Sequence, residues 1–232
     1  MKKLFLSLTL ISAISLSTRA QVYIQGGLNL ANITKTNDGQ TEDNNILPSF
    51  NVGILGRLDL APMFALESGV LLTGHGAKAE TYFSNGNYTK SKFNPLYIQV
   101  PLNAVVKIPL GTSKDSKSNV FFNAGPYAAI GIGGKSKRET KVGPFISNSE
   151  SSIEFSNDDP FTSQEEDAGY NKLKRFDFGL NFGGGFQFDH FIIKANYGLG
   201  LAKINSTESN NTANDKNKYR TLSFSVGIPL GK

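Results

Sequence analysis

The chain contains no cysteine, so neither a disulfide framework nor a lipid anchor at a lipobox cysteine is open to it. Beyond its first twenty residues it has no apolar run near the roughly 18 residues that a membrane-spanning helix needs. Histidine is scarce, with only His75 and His190, and there is no HExxH pair, nucleophile elbow or phosphate-cradling loop, so no catalytic constellation, cofactor motif or metal motif can be assembled. The formal charge of +5 and pI of 9.2 do not make a nucleic-acid binder, because the bases are dispersed along the chain rather than clustered.

What is present begins with residues 1–20, where Lys2 and Lys3 precede an apolar run from Leu4 to Leu16 and the small residues Thr18 and Ala20 flank Arg19. That is the layout of a secretory signal peptide, which predicts a mature chain of residues 21–232. An exported chain without spanning helices is periplasmic, secreted or an outer-membrane barrel.

The mature chain is built on alternation. From Phe176 to Ala202 the positions before the Asp189-His190 turn place Phe176, Phe178, Leu180, Phe182, Phe186 and Phe188 on one face and Asp177, Gly179, Asn181, Gly183, Gly185 and Gln187 on the other. A period of two is the strand signature, and the run Gly183-Gly184-Gly185 would weaken any helix. Six more segments repeat it, near 22–33, 46–60, 63–78, 93–110, 119–138 and 219–230, which makes eight. The connections alternate too. Ala61-Pro62, Gly111 to Ser118 and Asp189-His190 are short, whereas 34–45, 79–92, 139–170 and 205–218 are long and polar. Short turns at one end and long loops at the other predict an all-β, eight-stranded, antiparallel up-and-down transmembrane β-barrel, with both termini on the periplasmic side. Phe64, Phe122, Phe188 and Phe191 near the short turns, with Phe50, Phe93, Phe176 and Tyr219 near the loops, are read as interfacial girdles.

Alternation alone does not say which face is outside. A soluble lipocalin-like barrel, oily within around a lipophilic ligand, is the alternative. The polar face decides: Gly, Asn, Ser and Gln dominate it, and small residues suit a narrow eight-stranded interior better than a water-facing exterior. The oily face then meets lipid, and closure leaves no backbone group unpaired in the bilayer. Outer-membrane lipid and lipopolysaccharide become the expected surroundings of a monomeric barrel.

Six charged residues fall on the inward face by parity: Arg57, Asp59, Glu67, Lys107, Asp177 and Lys194. Three of each sign predict a mutually paired interior network that plugs the barrel rather than lining a pore. His75, near the loop end of the third segment, is the one candidate for an outer-leaflet lipid enzyme; without a partner, it reads as an ordinary histidine among polar neighbours and the chain as non-enzymatic. The 139–170 loop carries Glu150, Glu154, Asp158, Asp159, Glu165, Glu166 and Asp167. Carboxylates in that number can hold Ca²⁺, but their spacing matches no EF-hand loop, and a solvated loop is the simpler reading.

The order of motifs is itself informative. GGLNLANI at 26–33, LYIQVPLNAVVKIPLG at 96–111, NAGPYAAIGIGG at 123–134, FDFGLNFGGGFQF at 176–188, YGLGLAKI at 197–204 and the closing RTLSFSVGIPLG resemble the PorT-like outer-membrane β-barrel family of Bacteroidota. The resemblance spans essentially the whole mature chain. It implies an outer-membrane barrel with a secretion-linked or surface-interaction role, partnered by an extracellular or secretion-system protein, and it supplies no catalytic residues. Two departures stand out: Gln99 occupies a position where such proteins often have Glu, and the Ile228-Pro229-Leu230-Gly231-Lys232 end lacks the final aromatic of a barrel-insertion signal.

Overall fold

The computed structural model describes residues 20–37, 40–43, 46–83, 85–110, 118–155, 172–204 and 217–230. Each alternating segment becomes one strand of a single wall: β1 (Ala20–Asn37), β2 (Leu47–Ala61), β3 (Phe64–Gly74), β4 (Tyr88–Pro109), β5 (Asn119–Val142), β6 (Phe176–Gln187), β7 (Ile192–Gly200) and β8 (Lys218–Leu230). Every strand pairs antiparallel with its chain neighbours, and β1 pairs with β8 from Val22↔Leu230 to Thr34↔Lys218, so the sheet closes on itself. Closure removes both edges, which is what permits a sheet to sit in hydrocarbon.

The faces fall as the pleat dictates. Ile24, Ile54, Val70, Phe178 and Ile228 are exposed on the outside, while Tyr23, Asn29, Asn51, Glu67 and Asn103 are buried within. The lipocalin-like alternative requires the reverse and is excluded by this orientation. At the short-turn end, Ala61 pairs with Phe64 and the Phe188 amide donates to the Phe191 carbonyl at 2.8 Å.

Three expectations need correction. Phe93 and Tyr219 lie at the loop end, but they share parity with the inward-facing Tyr97 and Thr221 and are buried in the lumen rather than set in a girdle. Asp59 is half exposed at the periplasmic rim, where the β2–β3 register shifts between Asp59 and Ala61, and so lies outside the interior. Much of the supposed loop sequence is strand. Gln40–Asp43 pairs with the end of β1, Ala77–Tyr82 with the first residues of β4, and Phe145–Ser152 with the last of β5. Phe145–Ser152 and most of Ala77–Tyr82 escape an alternation test because water reaches both of their faces, so neither needs apolar residues.

Ala77–Tyr82, the start of β4, the end of β5 and Phe145–Ser152 thus form a four-stranded antiparallel blade beyond the barrel. Residues 1–19, read above as a signal peptide, residues 111–117, the acidic stretch 156–171 and residues 205–216 lie outside the described residues.

Candidate functional site

The lumen is filled in layers. Nearest the periplasmic end, Arg57 on β2 faces Glu67 on β3 in register, with Nη2 2.7 Å from Oε2. Lys194 on β7 reaches across the barrel to the other oxygen, Oε1. Tyr23 Oη donates to Glu67 Oε2 at 2.8 Å and Asn103 Nδ2 to Oε1 at 3.2 Å, so both carboxylate oxygens are saturated by donors from four strands. The Arg57 guanidinium lies 4.3 Å from the centre of the Phe121 ring and donates through Nη1 to Gln187 at 2.7 Å. A charged group removed from water is tolerable only with partners of this kind. Leu55, Ala65, Val105 and Ile192 close the space around it.

Of the six charged residues predicted to form one network, the structure brings three together: Arg57, Glu67 and Lys194. Lys107 and Asp59 make a separate pair at the rim, 2.7 Å apart. Asp177 stands alone at the opposite end, buried, and accepts a hydrogen bond from Tyr127 Oη at 2.9 Å. Strand parity puts a residue inside; the stagger between strands decides which insiders meet, and parity does not contain the stagger.

Above the ion cluster runs a hydrogen-bonded amide and hydroxyl layer. Asn51 Nδ2 donates to Asn29 Oδ1 at 2.7 Å, Asn29 Nδ2 to Thr73 Oγ1 at 2.8 Å, Gln25 Nε2 to Asn51 Oδ1 at 3.0 Å, and Ser225 Oγ to the same oxygen at 3.0 Å. A cavity of about 40 Å³ lies here, lined among others by Gln25, Asn103, Asn181, Asn196 and Thr221. Gln25 Oε1, Asn103 Oδ1 and Asn196 Oδ1 have no protein partner among the described residues, and the space is polar and large enough for water.

An aromatic lid closes the extracellular end. Tyr97, Tyr127, Tyr219, Phe93, Ile33, Leu173 and Ile204 form one buried cluster with Phe155 packed against it. Tyr97 and Tyr219 bring their hydroxyls to 3.3 Å, and Phe155 stands edge-on to Tyr97 with centroids 5.5 Å apart. His75 is sealed beneath this lid, its ring centre 5.0 Å from Tyr219 and 5.4 Å from Tyr97, with Nδ1 3.1 Å from Thr221 Oγ1. It therefore faces the lumen and not the outer leaflet. Sequence reasoning missed the lid; its signal was the tyrosines at inward parity, at 97, 127 and 219.

Outside the membrane, the blade has two unlike faces. The side continuous with the barrel exterior carries Lys78, Lys90, Lys92, Lys135, Lys137 and Lys141 with Tyr82, Tyr88 and the acids Glu80, Glu139 and Glu150; the side continuous with the lumen carries Thr81, Thr89, Thr140, Ser91 and Ser149 with Arg138. Hydrogen bonds from Lys135 and Lys137, at 2.5 and 2.9 Å, hold the Glu150 carboxyl down at about 2. Tyr88 donates to Glu139 at 2.8 Å, which raises its hydroxyl above the ordinary tyrosine value. Among the described residues no group of three or more His, Asp or Glu side chains is placed to hold a metal ion.

A family model described as "Outer membrane protein beta-barrel domain" matches residues 15–206. No curated protein sequence matches the chain. Among solved structures the chain is similar to Ail, the attachment invasion locus protein of Yersinia pestis, in complex with the heparin analogue sucrose octasulfate, at 16% identity and a TM-score of 0.40, over 91% of this chain and 99% of that one. It is similar to Neisserial surface protein A at 13% identity and a TM-score of 0.39, over 90% and 97% of the two chains. A third is OprG from Pseudomonas aeruginosa, at 12% identity and a TM-score of 0.43, over 92% and 97%.

Proposed function

Because the chain belongs to the outer membrane protein beta-barrel domain family and so resides in the outer membrane, we propose that it is a plugged, non-enzymatic scaffold whose extracellular blade is the working surface. The observation that carries this reading is the double closure of the lumen: the Arg57–Glu67–Lys194 cluster with its apolar collar below and the Tyr97–Tyr127–Tyr219 lid above, with a cavity of about 40 Å³ between them. An eight-stranded barrel has an interior just wide enough for side chains, and here they occupy it. The burial of His75 supports the non-enzymatic part, since a lipid substrate has no path to a histidine beneath the lid.

The PorT-like order of motifs supports a surface-interaction or secretion-linked role, with an extracellular or secretion-system protein as partner. The monomeric state is part of the same reading.

Purified protein in planar lipid bilayers tests the closed lumen: the expected result is a baseline without steady ion-sized steps, and stable openings overturn it. Protease added to intact cells tests the working surface, with cleavage expected in the blade and the wall protected. Replacing residues 79–91 by a short turn should then leave an assembled, heat-modifiable barrel that no longer supports secretion or surface contact; unchanged behaviour overturns that role.

A further inference from the structure

β3 ends early, and the reason is local. A side chain at Gly74 would collide with Ser49 Oγ, which sits 3.2 Å from Asn94 Oδ1, and Gly76 takes φ of +135°, a conformation other residues rarely adopt. The chain turns there, held by the His75 amide on the Pro95 carbonyl at 3.0 Å, and resumes pairing with β4 at Ala77↔Phe93. A groove of about 460 Å³ lies beside the start of β2 and the β4–β5 pair.

That groove is amphipathic along its length. Leu47, Phe50 and Leu96 line it on the barrel side, and Lys92, Lys135 and Lys137 line it towards the blade. Lys92 lies four residues beyond Leu96 on β4, roughly 13 Å along the strand. Phe50 and Leu96 continue into Val52 and Ile98, which are exposed on the lipid-facing wall.

The lysines are arranged against their own repulsion. Lys78 is directly opposite Lys92, and Lys92 directly opposite Lys137, a row of three like charges on adjacent strands. Like charges in register destabilise a sheet. Glu150 compensates Lys135 and Lys137, and Glu80 approaches Lys78 at 3.9 Å, but Lys92 has no ion pair among the described residues. Four ammonium groups against two carboxylates leave a surplus of two positive charges, about what one phosphate monoester neutralises. The blade's other lysines are placed differently, with Lys90 and Lys141 over the Tyr88 ring at 4.7 and 5.9 Å.

We propose that this groove is a binding site for a phosphorylated lipid of the outer leaflet, its phosphate between Lys92 and Lys137 and an acyl chain along Phe50 and Leu96. The apolar lining selects the lipid over a soluble anion, and its volume lies within the ordinary range for ligand sites. The inference depends on the outer-membrane location and not on the closed lumen.

The test is native mass spectrometry of the full chain extracted from outer membranes, stripped of lipid by detergent washing, and offered bisphosphorylated lipid A or its dephosphorylated form. The wild type and a Lys90→Gln/Lys141→Gln control are expected to retain one bisphosphorylated lipid A per barrel. Lys92→Gln/Lys137→Gln, and the wild type offered dephosphorylated lipid, are expected to bind about tenfold more weakly. Heat-modifiable migration identifies folded variants, and Lys92→Gln alone, which removes the unpaired lysine, replaces the double variant if that fails to fold. The proposal is overturned by undiminished retention in the lysine variant, by equal retention of the dephosphorylated lipid, by no retention in the wild type, or by displacement with glucosamine phosphate lacking acyl chains.

Discussion

Arg57 and Glu67 occupy directly opposed positions of β2 and β3, and their side chains meet at 2.7 Å inside the barrel. Two adjacent strands therefore deliver opposite charges to one point, and the third charge, Lys194, arrives from across the lumen.

Removing the shared acid should cost more than removing any one of its partners. Glu67→Ala strands two buried cations, a loss of roughly 3–5 kcal/mol, whereas Tyr23→Phe loses one hydrogen bond, roughly 1–2 kcal/mol. Urea unfolding in detergent, read by heat-modifiable migration, measures both. Equal midpoints for the two variants would mean that Glu67 is not the hub.

The absence of cysteine makes lumen access directly measurable. A Thr73→Cys reporter lies inside, in the amide layer, and should resist a water-soluble maleimide in the otherwise unchanged chain. Adding Tyr219→Ala removes one ring of the lid and should speed labelling roughly tenfold or more. Rapid labelling without the lid mutation contradicts the closure.

Gly131 fits because the Phe155 ring lies where its Cβ would be. Gly131→Val should expel that ring and destabilise the extracellular end by roughly 1–3 kcal/mol. Thermal unfolding read by heat-modifiable migration should register the loss, and Phe155→Ala in the same background should recover part of it.

The Glu150 carboxyl is held down at about 2 by its two lysines, below the ordinary 4.5. A depressed carboxylate contributes stability that is complete above the ordinary value and is lost as pH falls through about 4.5 towards 2. Amide exchange across Phe145–Ser152, corrected for its intrinsic rate, should therefore be flat from pH 7 to 5 and loosen below. Glu150→Gln should abolish that dependence, and an unchanged profile in the variant would refute the assignment.

How far the sequence could be read follows from what each strand face touches. Where one face meets lipid and the other the lumen, alternation is forced, and the small polar residues opposite Ile24, Val70 and Phe178 identify those three as the outside. Where both faces meet water, as in Phe145–Ser152 and the outer part of Ala77–Tyr82, nothing forces a pattern and the strands read as loop. The barrel's inside was legible as a list of residues but not as a map: Asp177 and Glu67 share the inward parity, yet they sit at opposite ends because strand direction and stagger set their heights. Phe93 and Tyr219 show the reverse error, in which height was legible and face was neglected.

The blade and the wall share backbone. β4 and β5 run 22 and 24 residues, paired from Pro109↔Asn119 at one end to Tyr88↔Lys141 in the blade, with one register shift between Leu96 and Tyr97. A pull on the blade along the strands is therefore borne as shear by many rungs at once instead of peeling them singly. The blade is mechanically a continuation of the wall that anchors it.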